Sequence, residues 1–130
     1  MPIELTVLAL SALLAVAQLI GFAIPANLQI GSKYLAGPRD DGLSLSGRTA
    51  RLERAYKNHL EGLAIYTAAA VTVVLGNGST GLTENCALAY LGARLVYVPA
   101  YYFGWAPWRS LIWSVGFVAT IVMLLAALLP

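Results

Sequence analysis

The sequence predicts an all-α integral membrane protein, an up-down four-helix bundle that forms one domain over residues 1–130. Hydrophobic residues make up 59% of the 130 residues and charged residues only 11%, whereas a soluble domain carries about 25% charged residues. Four apolar stretches approach the length of about 20 residues that crosses the hydrocarbon core. A soluble core in so short a chain has no room for this much apolar surface, so lipid must cover it.

Each predicted span is an apolar run bounded by turn signals. The first run is too long for a signal peptide, and no basic residue precedes it. The second starts with a polar helical section and stops where Asn77-Gly78-Ser79 favours a short turn over a glycosylation site. Gly104 and Pro107 separate the third run from the fourth. The predicted spans are 5–27, 49–75, 82–103 and 109–129.

The basic residues predict the orientation of the chain. Six of the eight Lys and Arg residues lie in or beside the first connection, and Arg109 stands at the end of the third; both termini and the second connection contain no Lys or Arg. The positive-inside rule therefore places the first and third connections in the cytoplasm and both termini outside. Trp105, Trp108 and Trp113 fit an aromatic belt at the cytoplasmic interface.

Charge and cysteine content exclude two classes of function. A net charge of +2, with basic residues interrupted by apolar runs, gives no reason to expect a nucleic-acid partner. Cys86 is the only cysteine, so no intramolecular disulfide and no thiolate metal cluster is expected. We expect Cys86 to be a small buried apolar residue, and we expect no metal site.

One polar stripe follows the cytoplasmic half of span two. Four side chains lie within an arc of about 80°, with Lys57 about 40° further round; they are Arg51, Arg54, Asn58 and Glu61. A lipid-facing Glu61 would cost several kcal/mol unless it is paired or solvated, so the stripe must face protein or a wet cavity. The alternative is a structural network in which Arg54 and Glu61 neutralise each other or charges on neighbouring helices. His59 lies about 100° from Asn58 and is interpreted as interfacial.

A second polar stripe lies on span three, where Tyr90, Arg94, Tyr97 and Tyr101 share an arc of about 60°. Pro99 is expected to kink this helix. Arg94 belongs to the stripe, snorkels to the interface or pairs with Glu61. The two stripes together offer cations for carboxylates, a carboxylate for an ammonium group, and phenol donors. This inventory fits a small zwitterionic peptide.

Arg109 stands at the start of span four, next to Ser110. A cation at a helix N-terminus opposes the helix dipole, which prefers an anion there. An anion bound near Arg109 would remove this conflict.

These residues resemble the MAPEG family, the membrane-associated proteins in eicosanoid and glutathione metabolism. The resemblance covers essentially the whole chain. Residues 53–61 look like the second-helix signature Arg-Ala-x-x-Asn-x-x-Glu, and residues 93–97 with Tyr101 are similar to the third helix of the leukotriene C synthase branch. Residues 106–110 resemble the Ala-Pro-x-Arg-Ser segment of the prostaglandin E synthase branch, and residues 37–40 look like bacterial members.

The resemblance implies a homotrimer in the bacterial inner membrane, with glutathione between adjacent subunits near the cytoplasmic face. A lipophilic electrophile or lipid hydroperoxide would arrive from the bilayer. Carried over by position, Arg109 would face the sulfur. Either Ser110 or Tyr97 could donate a further hydrogen bond to it. The family's positions and the two stripes together give the glutathione-binding set Arg51, Arg54, Lys57, Asn58, Glu61, Arg94, Tyr97 and Tyr101.

The function expected on this basis is that of a glutathione transferase, with peroxidase activity as an option. A guanidinium near the thiol would favour the reactive thiolate. One alternative is a non-catalytic, lipid-binding member of the same fold. Another is a small drug exporter, which needs a titratable carboxylate deep in the membrane. Glu4 is too near the end of span one for that role, and the arginines around Glu61 would keep it ionised.

Overall fold

The computed structural model describes residues 1–31, 33, 36, 37 and 46–129. Four helices and no strands occur in these ranges, which confirms the predicted all-α bundle. No helix end lies more than two residues from its predicted position. The helices are α1 (Ile3–Gln29), α2 (Gly47–Leu75), α3 (Gly81–Tyr102) and α4 (Trp108–Leu128).

In the part of the chain that the structure describes, three helices are long and apolar enough to cross a membrane: α1, α2 and α4. Helix α3 has 22 residues, which span about 33 Å at 1.5 Å per residue. It is less apolar because it carries Arg94 and several tyrosines; Tyr90, Arg94 and Tyr97 are buried in the bundle. Its outer side exposes Leu88, Leu95 and Val96. An apolar outer side of this kind suits contact with lipid.

Helices α2 and α3 form the centre of the bundle. Helix α1 packs against both on one side and α4 packs against both on the other, and α1 and α4 do not meet within the described residues. Alanine recurs in the buried core, at positions such as Ala69, Ala70 and Ala87. Small residues allow transmembrane helices to approach closely, which suits van der Waals packing in a membrane.

Glu4 links the helices by hydrogen bonds at the end of the bundle where α1 begins. Glu4 is fully buried, and Ser79 Oγ and Thr83 Oγ1 each donate to its Oε1 atom at 2.7 Å. Tyr66 donates its hydroxyl to the Glu4 carbonyl at 2.8 Å. These bonds join α1 to α2, to α3 and to the turn between them. The predicted turn at Asn77 is confirmed, with a positive φ of 55° at that residue.

The opposite end, which we call the basic end, holds the last turns of α1 and α3 and the first turns of α2 and α4. Helix α1 continues through Pro25 to Gln29. The Gln29 side chain donates to Thr49 Oγ1 at 3.0 Å and accepts from the Ser46 amide at 3.2 Å. This end of α1 is therefore fixed to the start of α2.

Cys86, which the sequence predicts to be a small buried apolar residue, is less buried than expected. It is half-buried and packs against the outside of the core cluster. Its place at the edge of the core explains the difference, since a small thiol there fills space without being enclosed.

Candidate functional site

A cavity of about 540 Å³ opens between α2, α3 and α4 near the basic end. Eight of the ten predicted site residues line it, and only Arg51 and Arg94 do not. Trp113 and Ser114 complete the lining; they lie one turn beyond Arg109 and Ser110 on α4. The predicted residues in the lining are Arg54, Lys57, Asn58, Glu61, Tyr97, Tyr101, Arg109 and Ser110.

Helical spacing places these groups on common faces. On α2 the four lining residues follow the i, i+3, i+4, i+7 pattern, which puts their side chains on one side of the helix. Tyr97 and Tyr101 on α3 are one turn apart, with ring centroids separated by 5.7 Å. The kink expected at Pro99 therefore does not separate the two rings.

Tyr101 lies between two arginines. Arg54 Nε donates to the Tyr101 hydroxyl at 3.0 Å, and the Arg109 guanidinium carbon lies 4.7 Å from the centre of the ring. A cation at this distance from a ring face is attracted by the ring quadrupole. One aromatic side chain therefore holds a cation from α2 and another from α4 at the same cavity.

Glu61 lines the cavity without a cationic partner. It is exposed, and it makes no hydrogen bond or ion pair with another described residue. The one ion pair found among the described residues joins Lys57 to Glu53 at 3.4 Å. The structural network in which Arg54 and Glu61 neutralise each other is therefore absent here, and the Glu61 carboxylate can receive a cationic group.

Arg94 is buried behind the cavity instead of lining it. Its Nη1 atom donates to Asn58 Oδ1 at 2.9 Å and its Nε atom donates to His59 Nδ1 at 3.2 Å. Its guanidinium carbon lies 4.4 Å from the centre of the Tyr97 ring. Arg94 thus neither snorkels to the interface nor pairs with Glu61. It orients Asn58 so that the amide nitrogen of Asn58 remains available as a donor.

The interpretation of His59 as an interfacial residue is wrong. It is fully buried, on the side of α2 that faces α1, and its Nε2 atom lies 2.8 Å from the Ser11 carbonyl oxygen. A carbonyl oxygen can only accept and Arg94 Nε can only donate. This pair of partners requires the neutral imidazole with its hydrogen on Nε2. His59 does lie on a different side of α2 from Asn58, as helical geometry predicts. That side faces α1 and not the membrane interface.

Arg51 lies beyond the cavity, where it joins two helices. Its Nη1 atom donates to the Tyr102 carbonyl at 3.3 Å. The guanidinium also lies close to Gly104, where φ is +71° and an added Cβ atom would come within 3.2 Å of Nη1. Its place in the glutathione-binding set stays a prediction.

A second, smaller cavity of about 130 Å³ adjoins the first and shares Asn58, Glu61 and Trp113 with it. Tyr90 and Arg94 line it, and the Tyr90 hydroxyl and Arg94 Nη2 are buried atoms without a hydrogen-bond partner among the described residues. The sequence pattern places Tyr90 on the α3 stripe, but Tyr90 is not among the predicted site residues.

The family model described as MAPEG matches residues 7–129. This range contains all four helices almost completely and every predicted site residue. Neither the curated proteins nor the solved structures gave a match to the chain.

Proposed function

The chain belongs to the MAPEG family, and on this premise we propose that it is a membrane-bound glutathione transferase. It would join the glutathione thiolate to lipophilic electrophiles, and the same thiolate would reduce lipid hydroperoxides. The observation that carries the proposal is the cavity near the basic end, where cations, an unpaired carboxylate and phenol hydroxyls surround one space. The family match favours this function over a small drug exporter.

The cavity fits glutathione in size and in charge. Ligand pockets have volumes of roughly 300–1,000 Å³, and the cavity of about 540 Å³ falls within that range. Glutathione carries two carboxylates, one ammonium group and one thiol. Arg54 and Lys57 would receive carboxylates, Glu61 would receive the ammonium group, and Asn58 would donate to the peptide backbone.

Arg109 and Ser110 would act on the sulfur. A free thiol has a pKa of about 8.5, so only a small fraction is thiolate at neutral pH. A guanidinium at the α4 N-terminus adds its charge to that of the helix dipole, and both favour an anion there. Ser110 would donate a further hydrogen bond. The thiolate then attacks an electrophilic carbon, the carbon–sulfur bond forms, and the leaving group departs with its electron pair.

The exposure of the site supports a homotrimer. In a single subunit Arg54, Lys57 and Glu61 are exposed on the surface of α2. Charged groups that face lipid cost several kcal/mol, whereas an adjacent subunit could cover and solvate them. We therefore propose that neighbouring subunits close the cavity and that glutathione lies between them.

The proposed orientation predicts that cysteines in the first and second connections are labelled from opposite sides of the membrane. With Cys86 replaced, Asp40→Cys in the first connection is expected to react with an impermeant thiol reagent only from the cytoplasmic side. Gly78→Cys in the second connection is expected to react only from the outside, because the charge bias of the connections sets the orientation. Labelling of inverted and right-side-out vesicles measures both. Reaction from the same side would contradict the four-span topology.

Glutathione is expected to stabilise the folded protein. A ligand that binds only the folded state adds RT ln(1 + [L]/Kd), which is about 2.7 kcal/mol at a hundred times Kd. Glu61→Gln is expected to reduce this stabilisation, because it removes the partner of the ammonium group. The measurement is thermal unfolding of the detergent-purified protein over a glutathione titration.

Glu53→Gln is the matched control for Glu61→Gln. Glu53 lies on the same helix and carries the same charge, but it pairs with Lys57 and does not line the cavity. We expect it to keep the full stabilisation by glutathione. If glutathione fails to stabilise the folded wild-type trimer, the non-catalytic, lipid-binding alternative becomes the better account.

A further inference from the structure

Two arginines near the start of α2 lie outside the large cavity and meet the end of α3. Arg51 Nη1 donates to the Tyr102 carbonyl at 3.3 Å. The Arg48 guanidinium carbon lies 5.4 Å from the centre of the Tyr102 ring and 5.8 Å from the centre of the Phe103 ring. Neither arginine lines the large cavity. We call Arg48 and Arg51 the arginine pair.

The arginine pair has no carboxylate partner among the described residues. Arg48 and Arg51 are three positions apart on α2, so they are neighbours on the helix surface, where like charges repel. The one ion pair found among the described residues joins Lys57 to Glu53, and the first turn of α2 contains no acidic residue. An anion bound to both guanidiniums would remove the repulsion between them.

The contacts with α3 hold both guanidiniums in place. Ring faces attract the Arg48 cation, and Arg51 uses only Nη1 for the Tyr102 carbonyl, so its other two nitrogens remain as donors. A side chain that is already held loses less freedom when it binds a ligand. Planar guanidinium groups also match phosphate oxygens with two parallel hydrogen bonds. The arginine pair therefore suits a phosphate group.

Exposed aromatic side chains place the arginine pair at the level of the lipid headgroups. Phe103 and Trp105 are 51% and 47% exposed, and their ring centroids lie 5.7 Å apart. Exposed aromatic residues at the ends of membrane spans lie at the headgroup level. Because the Arg48 guanidinium lies over the Phe103 ring, it lies at the same depth.

An apolar strip on the outer side of α3 leads from the arginine pair toward the middle of the membrane. Four large apolar side chains form this strip, and they are exposed and fall within an arc of about 100°: Leu88, Leu95, Val96 and Phe103. An exposed apolar strip of this kind suits contact with an acyl chain. It favours a lipid phosphate over a free one, because a free phosphate has no chain to place there.

We propose that the arginine pair binds the phosphate of a phospholipid with net negative charge, and that an acyl chain of this lipid lies along the apolar strip of α3. Two cations favour a headgroup with net negative charge over a zwitterionic headgroup. Basic sites between transmembrane helices bind anionic headgroups in this way. The binding is separate from the transferase reaction, and it gives Arg51 an anion other than glutathione.

Phosphatidylglycerol and phosphatidylcholine with the same acyl chains test the proposal. Each lipid is titrated into the protein in non-ionic detergent, and the midpoint of thermal unfolding is measured, because a ligand of the folded state raises it. We expect phosphatidylglycerol to reach half of its effect at a lipid fraction about 25-fold lower than phosphatidylcholine. This factor assumes about fivefold for each arginine, which corresponds to about 1 kcal/mol.

Arg48→Gln is the first variant, because Arg48 is exposed and donates no hydrogen bond to a described residue. We expect it to weaken phosphatidylglycerol binding about fivefold and to leave the phosphatidylcholine titration unchanged. Arg48→Lys is expected to lose less, since it keeps the charge without the planar fork. The double variant Arg48→Gln/Arg51→Gln is expected to bind both lipids equally. Each variant is compared with its own midpoint without added lipid, which separates lipid binding from folding stability.

Lys57→Gln is the matched control. It removes the same charge from the same helix, but Lys57 lines the large cavity and does not meet the end of α3. We expect it to keep the wild-type phosphatidylglycerol titration. Inorganic phosphate is the second control, and we expect little stabilisation from it, because it has no acyl chain.

Four results would overturn the proposal. The first is an equal effect of the two lipids on the wild type, and the second is an unchanged phosphatidylglycerol titration in the double variant. The third is an equal loss in Lys57→Gln and Arg48→Gln, which would indicate general attraction to positive charge. The fourth is full stabilisation by inorganic phosphate that depends on Arg48, which would assign the site to a soluble anion.

Discussion

Arg109→Ala is expected to lower glutathione conjugation at neutral pH by about 10- to 100-fold. A charge-assisted hydrogen bond contributes about 1.5–3 kcal/mol, and each 1.36 kcal/mol corresponds to about a tenfold change in rate. Glutathione affinity is expected to change much less, because Arg54, Lys57 and Glu61 still hold the rest of the tripeptide. Steady-state turnover and the midpoint of the glutathione titration measure the two effects separately.

The pH dependence identifies the role of Arg109. Raising the pH is expected to restore much of the lost turnover in Arg109→Ala, because a thiol with a pKa of about 8.5 then ionises without help. Arg109→Lys should be intermediate, since it keeps the charge but loses the planar fork. Arg48→Ala is the control, because Arg48 packs over Tyr102 outside the cavity. If affinity falls as far as rate in Arg109→Ala, Arg109 binds a carboxylate instead.

His59→Leu is expected to destabilise the protein by about 3 kcal/mol or more. The substitution leaves the Arg94 Nε atom and the Ser11 carbonyl without their buried partners, and an unsatisfied buried group costs about 1–3 kcal/mol, more if it is charged. The loss is measured as a lower midpoint of thermal unfolding in detergent. Asn58 is also expected to become less ordered, because Arg94 orients it.

Lys57→Leu, two residues earlier on α2, is the control. It also removes a polar side chain, so it separates the loss of the buried His59 hydrogen bonds from the loss of any polar group. Lys57 is exposed and its only described ion pair is with Glu53. Exposed ion pairs contribute about 0–1 kcal/mol, so we expect little change in the unfolding midpoint. Equal destabilisation by Lys57→Leu would show that the buried bonds of His59 are not the cause.

The helices could be predicted from the sequence because membrane spans depend on local properties. Apolar length and turn residues lie next to each other in the chain, and the observed ends follow them closely. Helix α1 is the instructive case: its predicted end at residue 27 lies two residues short of Gln29. Pro25 removes one backbone donor, but helices in a membrane tolerate such a loss when other groups compensate.

The cavity could be predicted in large part because its residues repeat along single helices. Arg54, Asn58 and Glu61 share one face of α2, and helical geometry alone shows that they lie together. Which helix each face meets does not follow from periodicity. Arg94 and Arg51 were therefore assigned to the binding set, whereas the structure places both outside the lining of the large cavity.

The contacts that sequence analysis missed join residues far apart in the chain. Glu4 receives hydroxyl donors 75 and 79 positions away, and His59 bonds to a backbone carbonyl 48 positions away. No pattern within one helix signals such partners. The one signal in the sequence is a polar residue in an apolar span, such as Glu4 or Ser11. Such a residue indicates that another helix packs against that position.

Helices α1 and α4 are attached to the central pair in different ways. Helix α1 is hydrogen-bonded to its neighbours at three heights, through Glu4, the Ser11 carbonyl and Gln29. Among the described residues, α4 makes no hydrogen bond to another helix, and its polar contact with α3 is the stacking of Arg109 on Tyr101. Sliding α1 along the bundle would break hydrogen bonds at every level, whereas α4 is held against α2 and α3 by packing. The position of the wall that carries Arg109 therefore depends on side-chain packing and not on hydrogen bonds between helices.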